Sequence, residues 1–205
     1  MKKVISYNSI AEAKASLDNG GRFYNVLSQP DDGVISKAEV AKVAGLFNAK
    51  QQMVLFLDLA ISELEEPEKE QLILNLSNEF RPIYDKYKSS NLLPSEVDKK
   101  GSLSTNVIIT GTPKLLGSDK EFKGFVMVSA GKTFMLIPII DKYTMYEIRD
   151  DASSATFIIA HAKSDTTLPA KTMKVGGVLK QLKLSKGDEH ASKTFLEATY
   201  FMDII

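Results

Sequence analysis

The sequence predicts an α+β protein in which an N-terminal helical domain precedes a small antiparallel β-barrel. Three observations carry this reading. Up to about residue 90, apolar residues recur at helical spacing. From about Leu103, Val, Ile, Phe, Thr and Tyr gather in short runs split by Gly, Asp, Ser and Pro, the signature of strands. Between the two, residues 91–102 mix Pro, Gly, Ser, Asn and charge with no period and read as a linker. The expected organisation is therefore a helical domain over 1–90, a linker over 91–102 and a barrel over 103–205.

Each helix has a start signal. Ser9-Ile10-Ala11-Glu12 reads as a capping box, in which hydroxyl and carboxylate satisfy exposed backbone N–H groups. Asn19-Gly20-Gly21 ends that helix, and a short helical piece over 22–27 follows. Ser36 starts a helix that runs to about Phe47, and Asn48 caps another over 49–64. Val54, Leu55, Leu57, Leu59 and Ile61 make the latter apolar nearly all round, so it is expected to be central. Pro67 opens the last helix, whose stripe is Leu72, Leu76, Phe80, Ile83 and Tyr87, with Pro82 as an internal kink.

The stretch 29–43, QPDDGVISKAEVAKV, carries two readings. With Gly33 at the glycine of an EF-hand loop, Asp32 takes the fifth place, Ile35 the eighth and Glu39 the twelfth, where a bidentate calcium ligand belongs. Ser28 and Pro30 occupy the first and third places, so two carboxylates of the loop are missing. Asp31, Asp32 and Glu39 are the candidate metal ligands, and calcium is the candidate ion. The same residues make a turn at Pro30-Asp31-Asp32-Gly33, a capping box at Ser36-Lys37-Ala38-Glu39 and a hydrophobic staple between Ile35 and Val40. A helix start is the expectation, and a calcium-responsive helical module is an alternative. The Asp-Gly-x-Ile-Ser-x-x-Glu segment also resembles the tellurite-resistance TerB-like helical domains, over residues 31–47 only; that resemblance implies metal binding.

Strands are expected at 105–115, 122–129, 133–140, 144–149, 156–162, 172–184 and 194–203, with Ala130-Gly131-Lys132 as a tight turn. In the last of these, Leu196, Ala198, Tyr200, Met202 and Ile204 form one face and are expected in the core. The opposite face carries Phe195 and Phe201, expected to pack against the helical half or a second subunit, since exposing each costs about 1.5–3 kcal/mol.

Asn106-Val-Ile-Ile-Thr-Gly111, Met173-Lys-Val-Gly-Gly-Val-Leu-Lys180 and Phe195-Leu-Glu-Ala-Thr-Tyr200 together resemble the OB-fold layout. There, a curved first strand opens the barrel and late strands close it, with Gly176 and Gly177 supplying a bulge or bend. The resemblance covers about the last hundred residues. It implies binding of single-stranded nucleic acid or oligosaccharide through stacked aromatics and a basic groove. The candidate residues are Lys174, Lys180, Lys183, Phe125, Tyr143 and Tyr146; the alternative is that the aromatics are core and the lysines solvate strand faces.

Composition limits the other classes. Lys and Arg together number 26, as do Asp and Glu, so any nucleic-acid case rests on a local patch. The absence of cysteine removes disulfides, thiolate metal sites and thiol nucleophiles. The start MKKVISYNSIAEAK has no signal-peptide apolar region, and the run from Met53 to Ile61 is too short to span a bilayer. A cytoplasmic protein with no membrane partner is expected. His161 and His190 show no ligand spacing, no nucleophile elbow occurs, and Gly131-Lys132-Thr133 lacks the upstream glycine of a phosphate loop. The expectation is a non-enzymatic binding or adaptor protein without a resident cofactor. Its expected partner is single-stranded nucleic acid or, alternatively, another protein or a second copy of the chain.

Overall fold

The computed structural model describes residues 1–21, 28–46, 48–121, 124–130, 133–138, 142–162, 167–184 and 192–204; for 117–121, 124–130, 133–138, 142, 182–184 and 192–193 only the backbone is considered. The protein is mixed α+β. Its chain divides into two compact units, Val4–Ser89 and a second made of Met1–Lys3 with Ser90–Ile205. The helical segment thus stands between two stretches of the β unit, leaving it after Lys3 and rejoining it at Ser90.

The helical unit holds α1 (Ile10–Leu17), α2 (Lys37–Ala44), α3 (Lys50–Ala60), α4 (Glu66–Leu74) and α5 (Arg81–Tyr87). Ser9 caps α1 by accepting from the Glu12 N–H, but the Glu12 carboxylate takes the Asn8 N–H at 2.8 Å rather than that of Ser9. At α2 the capping box is complete. That helix stops at Ala44, short of the expected Phe47, because Gly45 takes the left-handed conformation at φ 68°. Met53, Val54, Leu55, Leu57 and Leu59 of α3 are fully buried, as its all-round apolarity requires.

The expected single last helix is two. Residues 75–77 leave the helical path to embrace Ile35, whose N–H donates to the Asn75 carbonyl (2.8 Å) and whose carbonyl accepts from Ser77 (2.9 Å). Pro82 then sits in the first turn of α5, where its missing N–H is no loss, and starts a helix instead of kinking one. At the end of the unit, the Ser89 N–H donates to Asp58 Oδ2 (2.7 Å); burial raises the Asp58 carboxyl above the usual carboxylate range. The helical piece expected over 22–27 lies outside the described residues.

In the β unit are β1 (Lys2–Lys3), β2 (Ser90–Leu92), α6 (Val97–Lys100), β3 (Asn106–Glu121), β4 (Gly124–Ala130), β5 (Thr133–Pro138), β6 (Lys142–Arg149), β7 (Thr156–Ala162), β8 (Met173–Leu184) and β9 (Ser192–Asp203). All seven strands read from the sequence are present as β3 to β9. The linker reading is corrected: β2 pairs in parallel with β3, and Leu92 and Val97 are buried in the core of the β unit. Two apolar side chains among polar ones carry no period, yet they suffice to anchor the segment.

From β3 the pairings run through β6, β7, β9 and β8 and return to β3. Only the β7–β9 step of this cycle is parallel. Val107, Ile109, Tyr146, Ile148, Val175 and Leu196 are among the core residues that line it. β4 and β5 form an antiparallel hairpin joined to the end of β8 from Gly124↔Leu184 to Val126↔Leu182.

A bulge changes the faces of β9. The β8–β9 register shifts between Gly176 and Gly177, so Gly177 opposes Ala198 while Gly176 opposes Tyr200, and Thr199 is left over. A Cβ on Gly177 would lie 2.3 Å from the Glu197 carbonyl oxygen, so only glycine fits. Beyond Thr199 the alternation inverts. Phe201 joins Leu196 and Ala198 in the core beside Val175, and Tyr200 and Met202, pointing to the other side of the strand, are buried as well. The expectation that Phe201 lies opposite the core is therefore overturned.

Candidate functional site

A polar surface of the β unit arises where β3 changes partner. From Asn106 to Gly111 the strand pairs with β8; from Thr112 onward it pairs with β6. Gly111 permits the crossover, since a Cβ there would meet the Arg149 carbonyl oxygen at 2.4 Å. Pro113 follows where β3 has parted from β8, so its missing N–H leaves no hole in that ladder. Thr112 opposes Arg149 and Lys114 opposes Glu147, which puts these four side chains on one face.

These residues, with Asp151, line an open groove of about 370 Å³. Asp151 closes one end: its carboxylate accepts from the Thr172 hydroxyl at 2.8 Å and the Thr112 hydroxyl at 3.3 Å, and the two threonine oxygens lie 3.0 Å apart. The turn behind it is held by buried Asp150, which accepts from the Ala152 N–H (2.8 Å) and the Ser153 (2.8 Å) and Ser95 (2.9 Å) hydroxyls. Those bonds, Ser153 foremost, keep the Asp150 carboxyl below its ordinary range. No described residue pairs with the charged ends of Lys114, Glu147 or Arg149, and Lys114 and Arg149 are exposed. Among the described residues the groove offers two cations, one carboxylate that none of them pairs with and a threonine-held aspartate.

Continuing along the same face of β6, the surface turns apolar. Tyr143, Ala160 and Phe195 form a second buried cluster, with Met145 and Ile158 packed against it. The Tyr143 hydroxyl donates to Glu197 Oε1 (3.1 Å), and Lys180 Nζ lies 2.5 Å from Glu197 Oε2.

Of the residues expected to bind nucleic acid, the four whose side chains are described form no exposed cluster of aromatics and free lysines. Tyr146 is interior, and its hydroxyl accepts from the Leu168 N–H at 3.1 Å. Tyr143 and Lys180 are engaged with Glu197, and Lys174 is half-buried elsewhere on β8. Phe125 and Lys183 oppose each other across β4 and β8, but their side chains lie outside the described part. Tyr143 and Tyr146 therefore present no open face for a base, because the folded sheet uses one for an outer cluster and the other for its core. Phe195, 2% exposed, belongs to that outer cluster, and Phe201, 6% exposed, to the core. Both are satisfied within the β unit itself and offer no free interface.

In the helical unit two of the three candidate calcium ligands, Asp32 and Glu39, are likewise engaged. Glu39 is fully buried; Oε1 accepts from the Gly20 N–H (2.7 Å), and Oε2 accepts from the Ser36 N–H (2.7 Å) and hydroxyl (2.9 Å). Asp32 Oδ1 takes the Val34 N–H at 2.9 Å, and Asp31 is exposed at φ 56°. Among the described residues no three Asp, Glu or His side chains come together to hold a metal ion. The carboxylate that sequence reasoning missed is Asp18, buried after α1, which accepts from the Asp32 (3.2 Å) and Gly33 (2.7 Å) N–H groups and holds the turn.

His161 is 2% exposed, stacked on Tyr146 with ring centroids 5.9 Å apart, and its Nδ1 lies 2.7 Å from the Ala162 carbonyl oxygen. Burial pushes its pKa down. The native state therefore binds fewer protons than the unfolded one, and stability falls as pH drops below the unfolded value of about 6.5 until the folded value is passed. His161→Phe is expected to flatten this loss. Urea unfolding of both proteins at pH 5 and pH 7 measures it, and an unchanged pH slope in the variant refutes it. His190 lies outside the described residues.

Lys114, Glu147, Arg149, Asp151 and Thr172 were not singled out by sequence reasoning. The one signal present is the every-second-residue charge of Glu147, Arg149 and Asp151 at a strand end. Among the described residues no helix is long and apolar enough to cross a membrane. No protein-family model matches the chain, and no curated protein matches it in sequence.

Proposed function

We propose that the β unit is an OB-like barrel and that the protein is a non-enzymatic binding protein whose contact surface is the β3–β6 groove. The closed pairing cycle of five strands, with its long, partner-switching first strand, supports the barrel reading. The observation that carries the binding reading is a groove with charges of both signs that no described residue pairs with, lined by residues whose backbone positions are set by sheet register. A protein segment is the favoured ligand over single-stranded nucleic acid. Acids match bases in the groove, Lys180 is paired with Glu197 and Lys171 with Asp203, and Tyr143 and Tyr146 are buried. Backbone neutralisation and stacking, the two contributions that drive single-strand binding, are both weak on this surface.

Titration with a single-stranded oligonucleotide at two salt concentrations tests the choice. The expected result is no salt-sensitive affinity. Affinity that falls steeply with added salt overturns the preference for protein and restores nucleic acid as the ligand.

A further inference from the structure

We infer that the groove takes an extended peptide carrying an acidic and a basic side chain two residues apart, the acid on Arg149 and the base on Glu147. This rests on the binding reading above and deepens it. Glu147 and Arg149 are alternate residues of β6, so their side chains leave the same face about 6.8 Å apart along the strand. Same-face side chains of an extended peptide have the same step. A peptide laid along β6 therefore meets opposite charges in register, whereas adjacent acid and base residues would point to opposite faces.

The neighbours reinforce the pattern. Lys114, directly opposite Glu147 and diagonal to Arg149 across the β3–β6 pair, is a second cation within reach of the acid. Asp151 is engaged by two threonine hydroxyls and marks the end of the groove. Met145, one same-face step before Glu147, leads into the apolar cluster, so an apolar peptide residue on the far side of the base is accommodated. An all-acidic peptide would meet Glu147, and an all-basic one would meet Arg149 and Lys114, so neither satisfies the surface.

Three synthetic peptides with blocked ends test this: TVETKVT, with acid and base two apart; TVEKTVT, with the charges adjacent; and TVETEVT, with two acids. The wild-type protein is expected to prefer the first over the others by about tenfold, the scale set by two partly exposed charge pairs. Glu147→Lys, at a half-buried surface position, is expected to transfer the preference to the doubly acidic peptide. Amide shifts at 112, 114 and 147–151 report whether binding occurs in the groove. Binding there without preference, or a preference that survives Glu147→Lys, overturns the charge-spacing inference and leaves the binding reading standing. If no peptide moves those amides, both fall.

Discussion

Phe201→Ala is expected to destabilise the β unit by about 3–5 kcal/mol, the usual cost of removing a buried phenylalanine with incomplete collapse around the cavity. Phe201 is 6% exposed and packs in the core that contains Val175, Leu196 and Ala198. It reaches the core only because Thr199 is bulged out of register, which inverts the alternation of β9 between Ala198 and Tyr200. Urea unfolding followed by a signal from the β unit measures the loss. Were Phe201 exposed instead, its removal would relieve an apolar surface and cost little. A loss below about 1 kcal/mol therefore removes Phe201 from the core.

Glu39→Ala is expected to cost the helical unit about 3 kcal/mol, because three donors lose their acceptor inside the protein. Those donors are the Gly20 N–H, the Ser36 N–H and the Ser36 hydroxyl. Glu39→Gln retains one acceptor oxygen and is expected to cost about 1–2 kcal/mol, since a capping box accepts glutamine. Added calcium is expected to leave the wild-type melting temperature where monovalent salt of equal ionic strength leaves it. A calcium-specific rise that vanishes in Glu39→Gln would restore the ion-site reading, because a bidentate ligand does not tolerate the amide.

Both expectations turn on residues that local pattern reads only in part. Ser36-Lys37-Ala38-Glu39 announced a capping box, and the box is there, since a cap is a matter of four consecutive residues. The second oxygen of Glu39 reaches Gly20, nineteen positions away, and no local rule connects them. Likewise, the stripe Leu72, Leu76, Phe80 predicted one helix. Its spacing held for these three, which are buried, but not for Ile83 and Tyr87, in whose place Tyr84 is the buried residue of α5, because the pairing of Asn75 and Ser77 with Ile35 broke the helix. The β strands were legible because Val, Ile and Thr runs between turn residues have few other solutions. The groove was not, because it is made by partner choice: Thr112 and Lys114 meet Arg149 and Glu147 only after β3 has left β8 at Gly111.

The amino-acid order therefore determined the class of most segments: which are helical and which extended, caps at Ser9 and Ser36, an all-round apolar α3, and glycines where backbones crowd. Those features follow from interactions within a few residues, which any window of sequence contains. Tertiary structure decided which face of β9 is core, that Leu92 and Val97 anchor the supposed linker, that Tyr143 and Tyr146 are covered, and that Lys114, Glu147 and Arg149 share an open surface. Each of these depends on register between strands far apart in the chain. One residue of slip or one bulge reverses every later side chain, and that choice is made by packing of the whole sheet rather than by any segment of it.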